Sequence, residues 1–364
     1  MTKSWIRYGV GFDLSKATFS ACIKGLTEAE QEKIIATRSF QNTKAGFEAA
    51  QAWLASKCKD TDIPCRLLLE VTGVYHENLL HFFHGQGYYV SLELAKRVKS
   101  YLKSLGHDSK TDKEDAKGLA SMALHRKLTQ WQPVSEQLHE IRQLVRFRNT
   151  LVESRVAWEN QLHAYKHAHY SIKEIVRSLK RKIAQTHKEI RTVEAQIRAL
   201  IRADSQLCKR FEQILHSLPG VGWISLATVI AETDGFSAIQ SAKQLTKYAG
   251  YDVIERQSGT LSGKTRISKQ GNARLRTAMY MPALAHLRKK EGPLFALYQR
   301  LLLRNGGLTK KALVAVQRKL LCLIYALWKS DRPYDPKYQP KHTPKQQLAP
   351  KTEVVQTQGP DYTR

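Results

Sequence analysis

The chain has 364 residues, 42% of them apolar, with 59 Lys and Arg against 32 Asp and Glu and a formal charge of +27. The apolar share rules out global disorder, the length suits two to three domains, and five scattered cysteines without a CxxC spacing exclude a disulfide framework or a structural zinc site. A positive excess of this size points to a polyanionic partner, most simply nucleic acid.

In chain order, Tyr8–Phe12 and Thr18–Lys24 are short apolar runs flanking Leu14-Ser15-Lys16-Ala17, which predicts a hairpin. The spacing of Phe47, Ala50, Trp53 and Leu54 predicts a helix over 46–57, and 66–71 is an apolar run with one acid inside it, read as a buried strand. A helix over 75–86, a strand over 88–92 and a helix over 112–124 follow. Together these elements predict a mixed sheet covered by helices.

The middle of the chain changes character. No Pro or Gly occurs from 151 to 207, and Ile172, Ile175, Leu179, Ile183, Ile190, Val193, Ile197 and Leu200 recur at three- and four-residue steps. That stripe predicts a long, coiled-coil-like helix that serves assembly. The Leu218-Pro219-Gly220-Val221-Gly222 break opens a third segment, expected to be helical to about Trp328. Six of the eleven prolines lie at Pro333 and beyond, so the tail is expected to be extended or disordered. The apolar run at 320–328 is too short to span a bilayer, and residues 1–30 lack a signal-peptide pattern; a cytoplasmic protein without membrane contact is expected.

Four acids stand out against this layout. Asp13 ends the first strand run and Glu70 lies inside another; lone acids in buried strands are costly unless paired or metal-bound. Asp112 and Asp115 are three apart and share one helix face. Favourable charge at a helix start explains either of these alone. Taken together, the four match a ribonuclease-H-like arrangement, in which distant acids meet to hold two divalent ions. Oxygen-only ligands select magnesium or manganese.

A second block is strongly basic. Residues 241–290 hold eleven Lys or Arg and only two acids, Asp252 and Glu255. Lys264, Arg266, Lys269, Arg274 and Arg276, interleaved with small residues, suit close approach to a phosphate backbone; a solvated helix face and a Gly-rich turn would look similar. The Pro219-Gly220-Val221-Gly222 turn resembles a helix–hairpin–helix, although most such sequences are simply tight turns.

Gly11-Phe12-Asp13-Leu14-Ser15-Lys16, Glu70-Val71-Thr72-Gly73-Val74-Tyr75 and Lys110-Thr111-Asp112-Lys113-Glu114-Asp115-Ala116 resemble the amino-terminal blocks of the DEDD transposases of bacterial insertion sequences, which include pilin-gene invertases and bridge-RNA-guided recombinases. Ser258-Gly259 followed by Ile267-Ser268-Lys269-Gln270-Gly271-Asn272-Ala273-Arg274-Leu275-Arg276 resembles that family's carboxy-terminal transposase domain. The resemblance implies a RuvC-like (ribonuclease-H-like) mixed-sheet domain and a serine-containing transposase domain. With the patterns above, an α/β plus all-α chain is expected, with the first domain over 1–145, the coiled-coil-like region over 146–210, the mainly helical second domain over 211–330 and the Pro-rich flexible tail over 331–364. It implies that Asp13, Glu70, Asp112 and Asp115 hold Mg2+ or Mn2+ and that Ser258 is the nucleophile. The stretch Tyr251-Asp252-Val253-Ile254 lacks the proline of many relatives and the gap to Ile267 is short, which leaves Ser262 as the second candidate. The implied partners are donor and target DNA, a structured non-coding guide RNA, and further copies of the chain as a dimer or tetramer.

Two other readings share the charge and the long helix. One is a RuvC-like nuclease or junction resolvase in which water attacks and Ser258 is structural. The other is a non-catalytic, basic architectural protein. Of His163, His167 and His169, the first two offer an i, i+4 metal pair, but no third ligand or activating acid accompanies it, and a metal role is not expected.

Overall fold

The computed structural model describes residues 5–71, 73–106, 111–255, 257–258, 261–262, 265–304, 306–336 and 338. The chain divides into two compact units, Met1–Val134 and Ser135–Arg364. Most of the Pro-rich tail, and Lys264, lie outside the described residues.

In the first unit, strands β1 (Trp5–Leu14), β2 (Thr18–Thr27) and β3 (Glu32–Gln41) form an antiparallel meander. Helix α1 (Lys44–Lys57) leads to β4 (Cys65–Val71), then α2 (Glu77–Gly85), β5 (Tyr89–Leu94), α3 (Ala95–Ser104) and α4 (Asp112–His125). The sheet order is β3-β2-β1-β4-β5, with β1, β4 and β5 parallel. Strand alternation sorts the side chains onto two faces. Val10, Phe12, Leu14, Leu67 and Leu69 pack with Phe47, Leu54, Leu79 and Phe83 on one face. Leu68 packs with Val98, Tyr101, Leu119 and Met122 on the other.

Strand β3 and helix α3 were not expected from the sequence. The reason is visible in their burial: β3 is an edge strand that buries only Phe40, and α3 buries only Val98 and Tyr101. Too few apolar positions reveal either period. Polar contacts hold the edge instead. Lys24 Nζ donates to Glu32 Oε1 at 2.9 Å and to Ser121 Oγ at 2.6 Å, and His125 Nε2 lies 3.2 Å from Glu32 Oε2. Burial alone would raise the Glu32 carboxyl, but the bonds from Lys24, Ser121 and His125 hold it below its ordinary value.

The second unit begins with a helical hairpin, α5 (Glu136–His167) and α6 (Lys173–Ala203). The expected single helix is therefore broken at residues 168–172, although no Gly or Pro marks the break. Gln137 bonds to the Leu200 carbonyl, Arg148 to Glu194, and His187 approaches Glu159, so the two helices run antiparallel. The apolar stripe of α6 is spent inside the chain: Leu179, Thr186, Ile190, Val193, Ile197 and Ile201 are buried. Packing between the two helices, rather than a breaker residue, fixes the turn.

Helix α7 (Ser205–Ser217) reaches the Pro219-Gly220 turn, and α8 (Trp223–Glu232) and α9 (Ala242–Tyr248) follow. Among the described residues of 253–267, short paired strands in two tiers, a β-arm, replace helix. β6 (Val253–Ile254) pairs with β9 (Arg266–Ile267), and between them β7 (Gln257–Ser258) pairs with β8 (Leu261–Ser262). Four more helices follow among the described residues: α10 (Ala273–Ala278), α11 (Tyr280–Arg288), α12 (Gly292–Arg304) and α13 (Thr309–Ser330). Phe211, Leu226, Ile230, Phe236, Tyr251, Leu320 and Ile324 belong to its shared core.

Candidate active site and nucleic-acid interface

The acids of the first unit owe their placement to two glycines. A Cβ on Gly9 would lie 2.5 Å from the Ala120 carbonyl oxygen, and one on Gly11 would lie 2.3 Å from that of Ala116. Only glycine lets α4 sit this close to β1. Two residues along β1 cover about 6.6 Å, and four residues along a helix cover about 6 Å, so the two elements keep step while running in opposite directions. One further step brings Asp13 level with the first turn of α4, which Asp112 opens and to which Asp115 belongs. Asp13 also shares the face of Gly9 and Gly11 by strand alternation.

Glu70 follows from the register of the parallel pair. Phe12 is opposite Leu69, so Asp13 and Glu70 are each the next residue on neighbouring strands. Leu68 faces the α4 side, and Glu70, two residues on, faces it too. Glu70 in turn is opposite Glu93 on β5. Glu93 is a carboxylate that the sequence reading missed, because the apolar run of its strand stops at Leu92. Its two carboxylate oxygens each lie 3.2 Å from Arg97 Nη1.

Asp13, Glu70 and Asp115 are half-buried and each has a polar partner. Thr111 caps α4, its hydroxyl accepting from the Glu114 N–H at 3.3 Å, while the Glu114 carboxylate is taken by Lys117 at 2.6 Å. Among the described residues no three His, Cys, Asp or Glu side chains converge closely enough to form a ready ligand shell. The donor set nevertheless fits a hard divalent cation: carboxylate oxygens at the carboxyl ends of adjacent parallel strands and at the facing helix start. His163 and His167, with ring centroids 4.4 Å apart, are exposed on α5.

In the second unit, the β-arm that carries Ser258 has both feet fastened. The Ser268 N–H donates to the Asp252 carbonyl at 2.8 Å, Lys269 to Gly250 at 3.1 Å, and Asn272 to Tyr248 at 2.7 Å. A Cβ on Gly271 would lie 2.3 Å from the Tyr248 carbonyl oxygen, so the two chain segments meet backbone to backbone. Ser258 is opposite Leu261 and Ser262 is opposite Gln257, placing both candidate nucleophiles on the arm's outer tier.

Glu232 organises this base, and nothing in the sequence marked it. It ends the apolar α8, with its side chain only 1% exposed. Arg146 Nε and Nη2 donate to its two oxygens at 2.7 and 2.9 Å, and Asn272 Nδ2 donates at 2.7 Å. The Tyr248 hydroxyl donates to its backbone carbonyl at 2.9 Å, and Arg274 Nε lies 3.9 Å from Oε1. Burial would raise the Glu232 carboxyl, but the bonds from Arg146 and Asn272 hold it low. Asn272 also caps α10 through the Arg274 N–H at 2.9 Å.

Replacing Glu232 by Ala should destabilise the full chain by about 2–3 kcal/mol, below the ~3–5 kcal/mol of a fully buried pair because Arg146 keeps access to solvent. The urea midpoint checks this. Since the folded-state pKa is depressed, the contribution is present above the ordinary carboxylate range and is lost as pH falls through the lowered value. The gap between wild type and Glu232→Gln should therefore close in acid.

The basic residues fall into distinct roles. Arg266 on β9 and Arg274 on α10 are exposed, and Lys269 holds a left-handed backbone with φ +54°. Arg276 is partly committed to the fold, its Nη1 donating to the Ala249 carbonyl at 2.8 Å. Among the described residues no helix is long and apolar enough to cross a membrane.

Comparison with known proteins gives two family matches. Residues 10–170 match the DEDD_Tnp_IS110 model, described as a transposase, and residues 212–299 match a model described as the transposase IS116/IS110/IS902 family. The chain is 29% identical over 339 residues to the pilin gene-inverting protein of Moraxella lacunata, covering 93% of this chain and 99% of that protein. It is 24% identical over 354 residues to the transposase for insertion sequence element IS1111A of Coxiella burnetii, covering 89% and 90%.

Proposed function

This chain belongs to the IS110-type family of insertion-sequence transposases and is a DNA recombinase, and from that premise we propose that it cuts and rejoins DNA through Ser258 with the aid of Asp13, Glu70, Asp112 and Asp115. The observation that carries the reading is the register of the first unit, in which β1, β4 and the start of α4 bring the acids to one end of one sheet face. Carboxylates carried on neighbouring strands and the facing helix start are the oxygen donors that a hard divalent cation takes. A bound Mg2+ or Mn2+ supplies Lewis-acid polarisation of phosphate oxygens.

The chain's own residues do the rest. Ser258 Oγ attacks the scissile phosphorus, the bond to the leaving ribose oxygen breaks, and the serine proton ends on that oxygen. The strand is then held as a phosphoserine ester until the reverse attack by a new hydroxyl frees the serine. Bond energy is conserved, so no nucleotide hydrolysis is needed. Arg266, Lys269 and Arg274, with Lys264, neutralise backbone phosphates; Arg276 braces the arm's base. A structured guide RNA supplies sequence choice by base pairing, and the working assembly is a dimer or tetramer. With the α6 stripe already buried, exposed apolar side chains of α5 such as Phe147 and Val156 are the proposed contact between copies.

The test is binding and recombination of DNA carrying the element's own ends. Affinity should fall steeply with salt, and Arg274→Ala should flatten the slope of log K against log salt by about one unit. Ribonuclease treatment should stop recombination while leaving salt-sensitive DNA binding. Salt-independent affinity, or recombination after complete RNA removal, would count against the respective part.

A further inference from the structure

Helices α10 and α11 follow one another at Met279, and Leu275, Met279 and Ala283 form a fully buried stripe along them. A second stripe, Ala273, Arg276, Thr277, Tyr280 and Met281, has the same three- and four-residue spacing but is not covered. With Gln317 of α13 it lines an open cavity of about 420 Å³. That volume falls within the ~300–1,000 Å³ of small-ligand sites. Tyr280 and Met281 are 46% and 58% exposed, so neither is spent on the core.

The polar groups of this cavity are held in place. Gln317 is only 5% exposed, and the buried Tyr251 hydroxyl donates to its Oε1 at 3.0 Å. Burial pushes the Tyr251 pKa up, which keeps the hydroxyl protonated and donating. The contact fixes the amide, so its NH2 is the end left for the cavity. On the other side, the Arg276 guanidinium is anchored on the Ala249 carbonyl.

An occupant must therefore offer a flat, polarisable face to Tyr280 and Met281, an acceptor to the Gln317 amide, and negative charge nearby for Arg276. An apolar protein side chain meets only the first requirement. We propose that this cavity receives a single unstacked nucleobase of a bound nucleic-acid strand, stacked on Tyr280 and hydrogen-bonded by Gln317. The proposal rests on the nucleic-acid reading above and adds a base-binding site to it. Base stacking on an aromatic side chain tolerates any base identity, so the site would hold the strand without reading its sequence.

The experiment is a titration of the full chain with fluorescently labelled single-stranded DNA and with RNA of the same sequence, each over a range of salt concentrations. Tyr280→Ala should weaken binding by roughly 5- to 100-fold at every salt concentration. The slope against salt should stay unchanged, because stacking releases no counterions. Tyr280→Trp should restore affinity, and whichever strand shows the loss is the occupant's source. Tyr280 is exposed, so the thermal midpoint should not move. Wild-type affinity of Tyr280→Ala for both strands would overturn the proposal. A loss of oligomer mass in light scattering without a loss of affinity would also overturn it, by assigning the cavity to a second copy of the chain. If the wild-type chain binds neither strand, the nucleic-acid reading itself fails, and this site with it.

Discussion

Asp13→Asn and Asp115→Asn should each lower DNA strand cleavage by roughly 10³-fold or more, the equivalent of several kcal/mol of transition-state stabilisation. Asn keeps the size of Asp and one of its oxygens but removes the charge that a divalent cation needs. Both side chains are only half-buried, so the fold should survive, and DNA affinity should be unchanged because the residues proposed to bind phosphate lie elsewhere in the chain. Cleavage rates measured beside DNA affinity and a thermal melt separate these effects. Full activity in either variant, or of the wild type in excess chelator, would remove the metal-binding role. Glu93 offers an internal comparison. It stands opposite Glu70 on β5 but lies outside the four acids proposed to hold the cation, so Glu93→Gln should cost much less than Asp13→Asn.

Ser258→Ala should abolish strand exchange, with a loss on the order of 10⁴–10⁶-fold if the serine is the nucleophile. Ser262→Ala should retain activity. Combining Ser258→Ala with Asp115→Asn should be no worse than Ser258→Ala alone, because groups that serve one chemical step are not additive. An additive double variant would mean that the acids and the serine act in separate steps. No histidine lies between 217 and 285, so a local Ser–His pair is not the expected activator of this hydroxyl.

How far the sequence could be read depended on where each residue's partners lie. The β1–β2 hairpin, β4 and α4 were legible because their apolar residues alternate or recur locally, and Asp13, Glu70 and the Asp112–Asp115 pair stood out against those patterns. Strand β3 was not legible, since an edge strand with a single buried residue carries no clear alternation. The turn between α5 and α6 was hidden for a different reason. It is set by packing of α6 on α5, and its residues include no Gly or Pro.

The arm lies in a stretch that the sequence gives no reason to separate from the surrounding helices, because its described strands are two residues each, too short to show a period. Its supports were invisible for the same reason that Glu232 was. Glu232 ends an apolar helix, and its partners Arg146 and Asn272 lie 86 and 40 residues away. No local pattern distinguishes an acid that anchors such a network from one that merely ends a helix in solvent. The glycines of the basic block can be explained only after the fold is known: Gly271 is required because the Tyr248 backbone passes directly over it. The sequence alone does not separate the roles of the clustered basic residues: Arg276 is partly a structural donor, while Arg266 and Arg274 are exposed.

A serine that breaks and rejoins DNA must pass through a covalent serine–phosphate ester. The most direct measurement is denaturing electrophoresis of end-labelled DNA after reaction with the full chain. The wild-type protein and Ser262→Ala should both give a slow protein–DNA band that resists denaturant and disappears on protease treatment, and Ser258→Ala should give none. Cleavage by the wild type without any such band would contradict the account, because water rather than serine would then be the nucleophile.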